Sequence, residues 1–132
     1  MTRILIVEDD RPFADALALT LQLEGHDIWV ADNARDGVHL GVSHCPEVVI
    51  ADWMLRSDWH GGEVCRRIRD ANHSVGTIII TGYVDAMSEV SLWGAQYSEI
   101  VIEKPFHKQD ILRAIDHAMA FSKAMTRDDV LL

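Results

Sequence analysis

Glu8, Asp9 and Asp10 stand in a row after the apolar residues 4–7, and three more polar residues close later apolar runs: Asp52 after "VVIA", Thr81 after "TIII" and Lys104 after "EIVIE". If the runs are neighbouring strands, these residues meet at one rim. Three or more carboxylates at close range repel one another and raise one another's pKa unless a cation sits among them. A hard divalent ion such as Mg²⁺, with one or two carboxylates, waters and a phosphate around it, relieves that repulsion. Lys104 then serves as a point-charge partner for a carboxylate or a phosphoryl oxygen, and the Thr81 hydroxyl can donate to the same oxygen. Such a set fits phosphoryl transfer, which rests on positioning and charge neutralisation. Taken singly, each residue has a plainer use: Asp10 as a helix cap, Thr81 in a strand, Lys104 in solvent. Asp52 is harder to explain away, because a carboxylate closing a doubly covered strand costs desolvation energy without a partner.

Five short runs rich in β-branched residues must carry these groups: "RILIV" (3–7), "DIWVA" (27–31), "EVVIA" (47–51), "TIIIT" (77–81) and "EIVIE" (99–103). The continuous apolar character around Val49 and Ile79 predicts strands covered on both faces, as in a parallel sheet. Helical spacing lies between them, with Phe13, Leu17 and Leu21 in the first segment, Val64 and Ile68 in the third, and Ile111, Ile115 and Met119 in the last. Asp10 as a cap, Pro12 in the first turn and Gly25 beyond the end predict a helix over about 11–24. Alternating strands and helices with short links imply a doubly wound α/β layer sandwich, in which function collects beyond the carboxyl ends of the strands.

Composition narrows the rest. A chain of 132 residues is expected to form one compact core, and 48% hydrophobic with 25% charged residues is ordinary for a globular protein. The net charge of −9 opposes direct nucleic-acid binding. No segment approaches a membrane span, and "MTRILIVEDD" reads as neither signal peptide nor anchor, so a cytoplasmic location is expected. Cys45 and Cys65 have no CxxC spacing and are expected to be reduced, Cys65 on an apolar helix face, while the seven histidines show no metal-ligand spacing.

With the motifs "ILIVEDD", "VVIADWML…GGEVCRRIR", "IIITG" and "EKPF" in this order and spacing, the sequence resembles the receiver domain of two-component response regulators over roughly residues 3–121. The resemblance implies a flavodoxin-like (βα)5 three-layer sandwich with a parallel five-stranded sheet of order 2-1-3-4-5. It implies a receiver domain over 1–121, with 122–132 a tail or the start of a linker. Asp52 is then the phosphoacceptor, taking a phosphoryl group from the phosphohistidine of a sensor histidine kinase or histidine phosphotransfer protein. Asp9 is the direct Mg²⁺ (or Mn²⁺) ligand alongside Asp52, Glu8 acts largely through water, and the backbone carbonyl of Met54 completes the set. Lys104 pairs with the phosphoryl group, and its bond to Pro105 is expected to be cis. Thr81 swings toward the phosphoryl oxygen and reports to a face made of the fourth helix, fifth strand and fifth helix, where a downstream effector or a second copy would dock. The product is a signalling switch, whose only catalysis is its own phosphoryl transfer and dephosphorylation.

Three features depart from the family's pattern. Arg56 stands where a proline is usual, and the stretch to Gly61-Gly62 is one residue longer, so the loop is expected to sit differently. Val101 takes the place of the switching Tyr or Phe, which removes the rotating-aromatic half of the switch unless Tyr97 or Trp93 substitutes. "LWGAQYSEI" also differs from the usual end of the fourth helix. Trp53 and Trp59 are placed either beside the pocket or against the loop and third helix. Other readings remain: a pseudo-receiver that never takes phosphate, or a haloacid-dehalogenase-like phosphotransfer enzyme, which would need an acid at Met54. A flavin-binding flavodoxin would need a phosphate-cradling loop where "EDDRPF" stands.

Overall fold

The computed structural model describes residues 2–56, 58–82 and 100–131, with side chains through residue 126. Their elements run β1 (Arg3–Val7), α1 (Arg11–Leu23), β2 (Asp27–Ala31), α2 (Ala34–His44), β3 (Val48–Asp52), α3 (Gly61–Ala71), β4 (Gly76–Thr81), β5 (Ile100–Glu103) and α4 (Lys108–Leu131). The strands form one parallel sheet in the order β2-β1-β3-β4-β5. The stretch expected to hold a helix between β4 and β5, with Tyr83, Trp93 and Tyr97, lies outside the described residues. Residues 122–131 continue α4.

Strand parity divides the core in two. Ile4, Ile6, Val48, Ile50, Ile78 and Ile80 meet Leu17 and Leu21 of α1 and Ile111 and Ile115 of α4. Leu5, Val7, Val49, Ala51 and Ile79 face the other way, onto Ala34 of α2 and Val64, Cys65 and Ile68 of α3. The side-chain period of two along a strand is thereby satisfied on both faces, which explains the unbroken apolar runs. Cys65 is buried there and Cys45 is exposed, both as free thiols.

Helix starts are set by local hydrogen bonds. Asp10 accepts from the Phe13 amide at 3.2 Å, so this acid is a cap, and Gly25 leaves α1 at a φ of 92° that an L side chain rarely adopts. Asn33 caps α2 through the Asp36 amide at 2.8 Å. α3 is capped by an imidazole: His60 Nδ1 accepts from the Glu63 amide at 3.1 Å. Glu63 in that first turn also holds Arg66, whose hydrogen bond keeps the Glu63 carboxyl below its ordinary value.

The Gly-Gly pair has a steric reason. The Gly61 amide donates to the Trp53 carbonyl at 3.1 Å, and a Cβ on Gly61 would stand on the Asp52 carbonyl. Only a glycine lets α3 begin this close to the end of β3. Gly61→Ala should therefore cost about 1–3 kcal/mol through forced displacement of α3 or β3. Urea unfolding of the variant checks this, and an unchanged midpoint would contradict the close approach.

Candidate functional site

Register delivers the polar residues to one edge. Val7 pairs with Ala51, Asp52 with Ile80, and Thr81 with Glu103, so the residues that end β1, β3, β4 and β5 come level at the carboxyl rim. Asp52 is the last residue of β3 itself, one position inside the strand rather than just beyond it. It shares the parity of Ile50 and so points to the α1 side, as Glu8 does with Ile6.

Lys104 joins the two acids. Its Nζ lies 2.8 Å from Glu8 Oε1 and 3.5 Å from Asp52 Oδ2, while its ammonium sits 4.2 Å above the Phe13 ring. Phe106 meets Phe13 edge to face at 6.0 Å and supports that ring. Lys104 also donates its backbone N–H to the Thr81 carbonyl at 2.7 Å, and its peptide bond to Pro105 is cis. Thr81 is fully buried.

Carboxylate oxygens of Glu8, Asp9 and Asp52 come within 4.8 Å of one another. Asp52 Oδ1 accepts from the Met54 amide at 3.3 Å. Asp9 Oδ2 accepts from the Arg56 amide at 3.1 Å and lies 3.4 Å from Arg56 Nε. These groups open on a cavity of about 400 Å³ lined by Asp9, Asp10, Asp52, Met54, Arg56, Gly82 and Lys104. A larger cavity, about 560 Å³, lies among Arg3, Cys45, Asn72 and Lys123 at the opposite end of the sheet; its Arg3 and Glu47 pair with each other.

Glu8 is the most confined of the acids, 2% exposed, and its Oε2 has no hydrogen-bond partner among the described residues. Burial pushes its carboxyl up to about 7, and the neighbouring Asp52 adds to this while Lys104 opposes it. Burial by itself would lower the Lys104 ammonium, but Glu8 and Asp52 outweigh it and raise it. An orphaned buried carboxylate oxygen beside two further acids is the donor set a hard divalent cation accepts.

A family model described as "Response regulator receiver domain" matches residues 4–116. The chain belongs to the response regulator receiver domain family. Response regulator ArlR of Staphylococcus aureus is 37% identical over 116 residues, 87% of this chain and 51% of that protein. The chain thus spans about half the length of the curated relatives it matches. Among solved structures, a CheY-like receiver domain protein from Methanospirillum hungatei superposes with a TM-score of 0.85 at 25% identity, covering 95% of this chain and 98% of that one. The receiver domain of a modulated diguanylate cyclase from Desulfovibrio desulfuricans gives 0.84 at 26%, with the same coverage. The flavodoxin-like architecture with order 2-1-3-4-5 is that of a two-component receiver domain.

The receiver sheet brings together Glu8, Asp9, Asp52, Met54 and Lys104 and sets Thr81 one residue before the lining Gly82. It separates the two indoles from the pocket. Trp53 is buried on the α2/α3 side, stacked on His60 with centroids 4.1 Å apart, and Trp59 lies under Arg67 at 3.9 Å. Trp53 has the parity opposite to Asp52, which is why an adjacent residue lands on the other face. Val101 is half-buried against the same α2/α3 core. The residues that sequence reasoning missed are Phe13 beneath Lys104 and Arg56 as a partner of Asp9. An aromatic three residues into α1 carried a signal for the first; no periodicity exists in a loop to reveal the second.

The raised Glu8 carboxyl ties the stability of the metal-free domain to pH. The folded state holds a proton on Glu8 that the unfolded chain releases near its ordinary value of 4.5, so the contribution of this group to stability is full below that pH and is lost as pH rises through about 7. The loss should be about 2 kcal/mol between pH 5 and pH 8 in chelator, and Glu8→Gln should flatten it. Thermal melts across that range decide the matter; parallel pH profiles for the two proteins would refute the assignment.

Proposed function

We propose that this receiver domain is a phosphorylatable switch in which the Asp52 carboxylate accepts a phosphoryl group. The observation that carries this reading is the Lys104 ammonium between Glu8 and Asp52, with Asp9 completing an acidic pocket open to solvent. One Asp52 oxygen forms the new bond to phosphorus as the P–N bond of a donor phosphohistidine breaks, and the imidazole leaves with its electron pair and takes up a proton. Glu8, Asp9, Asp52 and the Met54 carbonyl would hold Mg²⁺ or Mn²⁺, which supplies charge neutralisation on the carboxylate and phosphoryl oxygens. Lys104 already stands 3.5 Å from Asp52 Oδ2 and pairs with the added phosphoryl group. Thr81, tethered through its carbonyl to the Lys104 amide, donates its hydroxyl to the same group.

The partners that follow are a sensor histidine kinase or histidine phosphotransfer protein as donor. A downstream effector or a second copy would be the recipient of the signal, through β5, α4 and the segment between β4 and β5. In this reading the domain ends near residue 121, residues 122–132 lead away as tail or linker, and the protein works in the cytoplasm as a switch with no other substrate. Val101, which supplies no rotating ring, leaves Thr81 to carry the switch. One observation favours a second reading, an interaction module that takes no phosphate: Arg56 already engages Asp9.

Incubation with acetyl phosphate and Mg²⁺ separates the two. Intact-mass measurement should show one added phosphoryl group on the wild-type chain and none on Asp52→Asn. An unmodified wild type, or a modified Asp52→Asn, would sink the phosphoacceptor reading.

A further inference from the structure

Arg56 makes two contacts with one oxygen. Its backbone amide donates to Asp9 Oδ2 at 3.1 Å, and its guanidinium Nε lies 3.4 Å from the same atom. The loop that presents it is held on either side. Toward β3, the Met54 amide is bound to Asp52 Oδ1. Toward α3, Asp58 is paired with Arg35 at 2.9 Å, Trp59 lies under Arg67, and His60 caps the helix. Arg56 is therefore set over the acidic cluster by its neighbours, although its own side chain is 85% exposed.

A positive group on a carboxylate that should also take a divalent cation has a direct consequence. A hard cation needs its oxygen ligands at close range with lone pairs turned toward it. One oxygen of Asp9, Oδ2, already faces two nitrogens of Arg56, the backbone amide and Nε. We propose that Arg56 is the resident counter-ion of Asp9 and sets how much divalent cation the pocket requires, because a cation on Asp9 must share with the guanidinium the charge of one carboxylate. This rests on the reading of Glu8, Asp9 and Asp52 as a divalent-cation site. The exposed guanidinium makes the competition modest, since ion pairs in solvent are weak and screened by salt. A change in affinity of about two- to five-fold follows. Arg56 thus tunes the cation site without closing it.

Mn²⁺ binding to the whole chain, followed by loss of the free-ion EPR signal, tests this without any phosphoryl transfer. Arg56→Ala and Arg56→Gln should each bind Mn²⁺ about two- to five-fold more tightly than wild type at low salt, with the gap narrowing at high salt. Arg11→Ala is the charge-matched control, because the Arg11 guanidinium sits 3.9 Å from Asp15 and 4.0 Å from Asp32 instead of on the cluster. Its affinity should move less. Equal or weaker binding by both Arg56 variants, or an equal gain in Arg11→Ala, would overturn the role of Arg56 and leave the cation site standing. Absence of Mn²⁺ binding in every variant would remove the cation site, and this inference with it.

Discussion

The Lys104 ammonium is the contact on which the rest of the site depends. Glu8 follows β1 and Asp52 ends the neighbouring β3, and both are buried, so each carboxylate would carry an uncompensated desolvation cost of several kcal/mol without a cation between them. β5 is separated from β3 by β4, and Lys104 must reach over the end of β4, its stem passing close to Gly82, to arrive there. A long flexible stem with a compact charge suits that path better than a rigid guanidinium fork. The pair also joins residues 96 positions apart. The cluster of Glu8, Asp52 and Lys104 therefore forms only when the first and last strands have found their places in the sheet.

One ammonium does not satisfy every oxygen of the two buried acids beside it. Lys104 satisfies Glu8 Oε1 and leaves Glu8 Oε2 without a partner among the described residues, and burial, with Asp52 beside it, raises the Glu8 carboxyl against the pull of Lys104. A domain optimised only for stability would place an apolar residue there. The sheet tolerates the frustration because its two apolar faces, with Ile4, Ile6, Ile50 and Ile78 on one and Leu5, Val49 and Ile79 on the other, supply ample burial elsewhere. An unpartnered polar atom at a rim over a well-packed core breaks a local rule of stability, which proteins tolerate chiefly at functional sites.

Most of the architecture was legible because it is written in periodic patterns. The apolar runs marked all five strands to within a residue, and Asp10, Pro12 and Gly25 marked both ends of α1. The acids and Lys104 could be placed at one rim because parallel strands deliver their carboxyl ends together. The positions of Trp53 and Trp59 were harder, yet the parity of β3 held the answer for Trp53: Asp52 follows Ile50, so Trp53 follows Ala51 to the opposite face. The His60 cap was illegible because imidazole is not among the usual capping side chains. The contact of Arg56 with Asp9 was illegible for a different reason, since a loop without hydrogen-bond periodicity leaves the direction of an exposed side chain undetermined.

The residue at position 56 also bears on how that loop is held. Proline, which the family pattern places here, has a fixed φ and no N–H. Arginine gives up the fixed φ and gains a donor, and the hydrogen bond that the Arg56 backbone N–H donates to Asp9 exists only because position 56 is not proline. Where a proline ring would restrict the chain covalently, the described residues here make side-chain contacts instead: Asp58 on Arg35, Trp59 beneath Arg67 and Arg56 on Asp9. Two of these contacts are exposed ion pairs, which weaken with salt and with competing charge. The loop over the site therefore takes its position from the same electrostatics that hold the acids together, and a change in charge at Asp9 is felt first by the chain that covers it.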